Sequence, residues 1–207
     1  ESPQKETSLS LRALASWSEL LSEGTYLGLL GSSPAASRVD ARTIWQNVVF
    51  AALAEAGRRQ TAKGNLSGAI PYAEAAQTFG ADSEQMQWVT KPSLICLIDR
   101  GKNVLRRIKE ERESTPLTIL AAEWWASEIK SAFTPLHELT TFLSQNDSVE
   151  YAEVLDEAGG FLRSVGISLN NDHTAYPQAL ELLRMASELA GSEDFQTKLE
   201  GDLLQVG

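Results

Sequence analysis

The chain has 207 residues, 43% hydrophobic and 22% charged, so its composition is globular and excludes an intrinsically disordered protein. Its net charge of −10 disfavours general attraction to nucleic acid or to an anionic membrane, because both require a positive field. Its single cysteine, Cys96, excludes an internal disulfide, and no apolar run is long enough to span a bilayer. These properties fit a cytoplasmic protein, and they also fit an exported protein whose signal peptide has been removed.

The first predicted features are a flexible tail and a helix. Residues 1–7 are polar and contain Pro3, which predicts the tail. Beyond the tail, apolar side chains recur at helical spacing as far as Leu21, and Gly24 ends the pattern. Glycine, serine and proline are frequent over residues 22–38, where we expect a loop.

Two helices are predicted over residues 40–81. Asp40 is expected to cap a long helix that ends at Gly64, in the left-handed conformation that glycine tolerates best. The second helix is expected from about Leu66 to Phe79. Pro71 lies in its first turns, where a missing backbone N–H costs little.

The middle of the chain, residues 83–147, is predicted to hold long helices that contain prolines. A capping pair, Asp82 and Gln85, opens the first of them. Pro92 is expected to kink or break this helix. Further along, Thr115–Pro116 has the form of a cap followed by a first-position proline, and it therefore predicts another helix start.

The last predicted helices occupy residues 148–207. The first is expected over about 148–170, and Gly159–Gly160 in its middle marks a weak point or a close approach of another helix. Pro177 opens a further helix, and Ser192 caps the final one. Since no segment shows the sustained alternation of a strand, the chain is predicted to be all-α, with about eight helices.

Small residues at about 50–81 follow the pattern of a known helical repeat. Gly57, Ala69 and Ala76 are spaced as in two closely packed antiparallel helices, with Gly64–Asn65 at the turn between them. The segment resembles the tetratricopeptide repeat, a helix–turn–helix unit of about 34 residues. The resemblance implies that the glycine and the alanines let the two helices touch.

A weaker similarity to the same repeat lies at about 152–190. Gly166 would be the small residue of its first helix, and Ala179 and Ala186 those of its second. The expected architecture is a tetratricopeptide-like or divergent α-solenoid, or else an irregular helical bundle. Either would form one helical domain over residues 8–207, made of a repeat-like unit at 40–81, the long-helix middle at 83–147 and a weak repeat-like unit at 148–207.

The resemblance also implies a concave groove lined by the first helix of the repeat. On that helix, Arg58 and Thr61 map to the groove face, and Arg58 could grip a partner's carboxylate by forked hydrogen bonds. The alternative is that Arg58 and Arg59 are a solvated pair near a helix C-terminus, where the helix dipole favours positive charge.

Two features outside that segment are further candidates for partner contacts. Arg106 belongs to a run, Arg100–Arg112, in which six residues are basic. The run could dock an acidic partner, or nearby glutamates could neutralise it. Trp124 and Trp125 point about 100° apart on a helix. One is therefore expected in the core and the other at a groove, unless the helix is covered widely enough to bury both.

No catalytic, metal-binding or phosphate-binding motif stands out, and we expect neither a metal nor a cofactor. The expected function is a non-catalytic module that presents a helical groove to a peptide or helix of another protein. The alternatives are a helical bundle that binds a small apolar ligand, or an accessory helical domain of an enzyme. No nucleic acid and no membrane insertion are expected. A homo-oligomer or a neighbouring domain would cover the apolar end of an incomplete repeat stack.

Overall fold

The structure, a computed structural model, describes residues 35–173 and 175–206. Over these residues the protein is all-α, as the sequence predicts, and none of the described helices has the length and apolar character needed to cross a bilayer. The predicted tail at 1–7 and the helix predicted after it lie outside the described residues. The elements are α1 (Ala35–Ala62), a 3-10 turn (Leu66–Ala69), α2 (Ile70–Thr78), α3 (Ser83–Ser114), α4 (Ile119–Thr140), α5 (Gln145–His173), α6 (Tyr176–Leu189) and α7 (Glu193–Val206).

Two compact units divide the chain inside α3. The first unit reaches Ser93, and the second unit begins at Leu94. The first unit therefore contains α1, α2 and the start of α3, and the second contains the rest of α3 and α4 to α7. A single domain over residues 8–207 stays a prediction.

In the first unit, α1 and α2 form a closely packed hairpin. Gly64, with φ 90°, provides the left-handed conformation at which the chain reverses, as predicted. A Cβ on Gly57 would lie 3.4 Å from Cβ of Ala69, the last residue of the 3-10 turn, so these small residues let α1 and the start of the second arm touch. The core of this hairpin is formed by Phe50, Leu53, Tyr72, Ala73 and Ala76.

Two predicted helix caps are confirmed. The Asp82 carboxylate accepts a hydrogen bond from the backbone N–H of Gln85 at 2.9 Å, and the Gln85 side chain accepts one from the N–H of Asp82 at 3.0 Å. This reciprocal pair begins α3. At the start of α7, the Ser192 hydroxyl accepts from the backbone N–H of Phe195 at 3.2 Å.

Two other predicted helix starts are wrong. Asp40 lies inside α1, which already includes Ala35, so it is not the cap of that helix. Thr115–Pro116 does not begin α4 either. Thr118 is extended, with φ −130°, and its hydroxyl accepts a hydrogen bond from the N–H of Ala121 at 3.2 Å. A threonine that satisfies a free N–H of the first turn fixes the helix start there.

Of the kink or break expected at Pro92, the break does not occur, because α3 continues through this residue. A proline inside a helix removes one backbone hydrogen bond and costs about 3 kcal/mol. Val89 and Leu94, on either side of Pro92, are almost fully buried. Burying each such side chain stabilises the fold by roughly 1.5–3 kcal/mol, which offsets the cost of the proline.

Consecutive helices of the second unit run antiparallel. A Cβ on Gly101 of α3 would lie 3.0 Å from the ring of Phe133 in α4. Further along α3, Arg107 binds Glu128, an earlier residue of α4, at 2.5 Å. Residue numbers therefore fall along α4 as they rise along α3.

α5 and α6 are also antiparallel, and glycines allow these two helices to approach closely. A Cβ on Gly166 would lie 3.2 Å from the carbonyl oxygen of Ala179. A Cβ on Gly159, an earlier residue of α5, would lie 3.2 Å from the carbonyl oxygen of Ala186, a later residue of α6. The close approach predicted at Gly159–Gly160 is confirmed at Gly159.

Helices two positions apart also touch in the second unit. They run parallel, since each is antiparallel to the helix between them. The second unit is therefore built in two layers, with α3, α5 and α7 in one and α4 and α6 in the other. Ion pairs join neighbours within a layer: Lys109 with Glu157 (α3 to α5), Lys130 with Glu188 (α4 to α6) and Arg163 with Asp202 (α5 to α7).

Adjacent glycines of α5 offer a matched test of this packing. A Cβ on Gly159 would lie 2.6 Å from the Phe195 ring, whereas a Cβ on Gly160 would have no heavy atom within 4 Å. We expect Gly159→Ala to lower the free energy of unfolding by about 1–3 kcal/mol through overpacking. Gly160→Ala should raise it by about 0.5–1 kcal/mol, because alanine is the better helix residue. Urea denaturation followed by circular dichroism measures both, and shifts of equal sign and size would contradict the packing described.

Candidate partner-binding grooves

Arg58, which the resemblance assigns to a partner's carboxylate, is engaged within α1. Its Nε and Nη2 donate to the two carboxylate oxygens of Glu55 at 2.7 and 2.8 Å. Arg59 also donates to Glu55, at 2.8 Å. The hydrogen bonds from Arg58 and then Arg59 lower the pKa of Glu55 to about 2. A partner's carboxylate would therefore have to displace Glu55 from Arg58.

Two of the predicted site residues, Thr61 and Trp125, are buried. The hydroxyl of Thr61 donates to the carbonyl oxygen of Arg58 at 2.9 Å, and the residue is only 5% exposed. Trp125 is fully buried, and its ring meets that of Phe161 edge-on, with the centroids 6.2 Å apart. Both side chains therefore stabilise their own unit and offer no surface to a partner.

The other two predicted site residues, Arg106 and Trp124, are exposed on the second unit. Arg106 pairs with Glu110, one turn further along α3, at 3.0 Å. An exposed helical pair of this kind is worth about 0.3–0.5 kcal/mol. The guanidinium of Arg107 lies 6.0 Å from the centroid of the Trp124 ring, which is within cation–π range. Trp124 is 42% exposed, so part of its side chain is open to solvent.

Acidic side chains from other helices neutralise two of the six basic residues of the run on α3. Arg107 binds Glu128 of α4 at 2.5 Å, and Lys109 binds Glu157 of α5 at 2.7 Å. The sequence suggested neutralisation by glutamates on the same helix, which Arg106 does show. The ion pairs between helices hold α3 against α4 and α5. Arg107 and Lys109 therefore already have partners within the second unit.

A groove with a volume of about 420 Å³ lies between α4 and α6, with α5 as its floor. We call it the α4–α6 groove. Sequence reasoning did not find it. Its lining residues are Ala122, Glu123, Ala126, Ser127, Lys130 and Ser131 of α4, Leu169 of α5, and Gln178, Glu181, Leu182 and Met185 of α6.

Small side chains on α4 open this groove. Ala122 and Ala126 are one turn apart and both are buried, so α4 presents almost bare backbone to the groove. Leu169 and Leu182, both buried, complete an apolar floor, and the partly exposed Met185 can adapt its shape to a ligand. Polar and charged side chains form the rim, which is the usual arrangement of a binding cleft.

The rim of the groove carries more negative than positive side chains. The ammonium of Lys130 lies 3.3 Å from a carboxylate oxygen of Glu188, which links the two walls. Glu123 and Glu181 are exposed, and neither has an ion-pair partner in the part of the chain that the structure describes. The rim therefore carries an excess of negative charge.

The first unit has its own groove, of about 480 Å³, between α1 and the start of α3. Trp88 is 44% exposed there, beside Asn47 and Lys91. Neither Arg58 nor Thr61, which the resemblance assigns to a groove, lines it. Sequence reasoning missed Trp88, although an aromatic residue within the polar stretch 82–91 was a visible signal.

Among the described residues, no group of three or more His, Cys, Asp or Glu side chains is placed to hold a metal ion. No protein-family model, curated protein or solved structure matches the chain.

Proposed function

We propose that the protein is a non-catalytic interaction module whose α4–α6 groove binds an amphipathic helix of another protein. The observation that carries the proposal is the groove itself, about 420 Å³ in volume, with an apolar floor and a polar rim. Such a cleft buries the apolar stripe of a helix, while the rim forms hydrogen bonds with the helix flanks.

The length of the groove suits a short helix. Its lining on α4 runs from Ala122 to Ser131, which at 1.5 Å per residue is about 14 Å. A helix of about nine residues, or two and a half turns, has that length. Since α4 and α6 run parallel as the two walls, a helix lying along them would contact both.

The packing of the second unit supports an interaction role. Each helix packs on the next helix in the chain and on the one after it, an arrangement that creates elongated grooves between helices of one layer. We include in the proposal that the α1–α2 and α5–α6 hairpins are tetratricopeptide-like. The close contacts at Gly57 and Gly166 support this interpretation.

Filling the groove should weaken peptide binding without unfolding the protein. Ser127 is exposed on the groove wall, and Ser127→Tyr would place a ring over the floor. Glu138→Tyr is the matched control, because Glu138 is exposed on α4 but does not line the groove. Helical peptides selected from a display library on the full chain should lose about tenfold or more in affinity for Ser127→Tyr. Their affinity for the control should be unchanged.

Fluorescence anisotropy of the labelled peptides gives these affinities, and circular dichroism shows whether each variant is folded. Peptides that bind Ser127→Tyr as tightly as the unmodified protein would place the binding surface elsewhere. Failure to select any helical peptide on the full chain would also contradict the proposed function.

A further inference from the structure

We infer that the helix bound in the α4–α6 groove is basic, with lysine or arginine side chains beside its apolar stripe. This inference rests on the proposed function and names the chemistry of the partner. It depends on how the charged residues of the two walls are placed relative to one another.

The ion pair across the groove fixes the register of its walls. Lys130 on α4 meets Glu188 on α6. Because the two helices run parallel, residues seven positions earlier on each lie two turns away on the same faces, about 10.5 Å along the groove. Those residues are Glu123 and Glu181, and both line the groove.

The groove therefore has two different ends. At one end, opposite charges join the walls, and the Lys130–Glu188 pair is complete. At the other end, two exposed carboxylates, Glu123 and Glu181, stand at equivalent positions on the two walls without an ion-pair partner among the described residues. Like charges in this arrangement repel each other, and a cation placed between them is attracted by both.

A basic amphipathic helix would complement both the apolar floor of the groove and its acidic end. Its apolar side chains would cover Leu169, Leu182 and Met185 on the floor. A lysine or arginine next to that stripe would reach the carboxylates of Glu123 and Glu181, and arginine could bind a carboxylate with two parallel hydrogen bonds. The net charge of −10 also attracts a basic partner while it diffuses toward the protein.

Two synthetic peptides of about 18 residues test the inference, since this length is enough for a helix to form on binding. They share one Leu/Ala apolar face, and their flanks carry lysine in one peptide and glutamate in the other. Fluorescence anisotropy with the full chain should show the lysine peptide binding about tenfold more tightly or better. Raising the salt concentration should reduce the difference in affinity between the two peptides, because salt screens exposed charges.

A charge-matched pair of variants identifies the carboxylates responsible. Glu123→Gln with Glu181→Gln should reduce the preference for the lysine peptide to about threefold or less. Glu193→Gln with Glu200→Gln removes the same total charge from exposed positions of α7 that do not line the groove. This control should retain the preference.

The outcomes separate the two proposals. Equal binding of both peptides, lost in Ser127→Tyr, would overturn the inference and leave the groove as a helix-binding site. A lysine preference that survives in the Glu123→Gln, Glu181→Gln variant would also overturn it, because the preference would then arise elsewhere. Binding of the lysine peptide that is unaffected by Ser127→Tyr would overturn the groove function as well.

Discussion

Replacing Trp125 by alanine is expected to lower the free energy of unfolding of the second unit by about 3–5 kcal/mol. The side chain is fully buried, and its ring packs edge-on against Phe161 at 6.2 Å between centroids. Alanine would remove that contact and leave a cavity that the surrounding helices can fill only in part. The loss would be a large share of the stability of a typical domain.

The adjacent tryptophan is the natural control. Trp124 is 42% exposed, and the guanidinium of Arg107 lies 6.0 Å from the centroid of its ring. Trp124→Ala should therefore cost about 1 kcal/mol or less. Urea denaturation followed by far-ultraviolet circular dichroism measures both variants on the full chain. Similar losses for the two variants would contradict the assignment of Trp125 to the core.

The different environments of the two tryptophans show what the sequence can predict. Their separation by about 100° on a helix predicts that one is buried more than the other. Which one is buried depends on the register of α4 against α5, where Phe161 meets Trp125. That register is set by contacts between residues more than thirty positions apart, and periodicity along one helix contains no information about it.

The all-α fold and several helix ends could be predicted because their causes are local. Glycine at Gly64 and the reciprocal pair Asp82 and Gln85 act within one turn of the helix they end or begin. The helix continues past Pro92 because buried neighbours hold it, a tertiary effect that the local pattern does not contain. Thr115–Pro116 was misjudged because a second threonine, Thr118, caps the helix instead.

The candidate site was harder to predict than the fold. The ion pair of Arg58 with Glu55 was visible in the sequence, since the two residues are three apart on a helix. The α4–α6 groove had no comparable signal. Its floor is made of alanine and leucine, which occur in any helical core, and the opposition of Glu123 and Glu181 appears only when the two helices are aligned.

Asp156→Ala is expected to lower the free energy of unfolding by about 2–4 kcal/mol, because this carboxylate fastens the α6–α7 turn to α5. One of its oxygens accepts the backbone N–H groups of Gly191 and Ser192 at 2.8 and 3.2 Å, and the other accepts the Ser192 hydroxyl. Since Ser192 in turn caps α7 through the N–H of Phe195, loss of the carboxylate should also loosen the first turn of α7.

The α6–α7 turn has little room to shift and form other hydrogen bonds. A Cβ on Gly191 would lie 2.6 Å from Cα of Ala152, so the backbone of the turn is pressed against α5. Glu157→Ala is the control, because this neighbouring carboxylate is 50% exposed and pairs with Lys109, an interaction worth about 0–1 kcal/mol. Asp156→Asn keeps one acceptor oxygen. Its loss of unfolding free energy should lie between those of Asp156→Ala and Glu157→Ala. Urea denaturation gives the energies, and hydrogen exchange should show faster opening of α7 amides in Asp156→Ala than in Glu157→Ala. Equal stability and equal exchange in those two variants would mean that the Asp156 carboxylate does not hold α7 to α5.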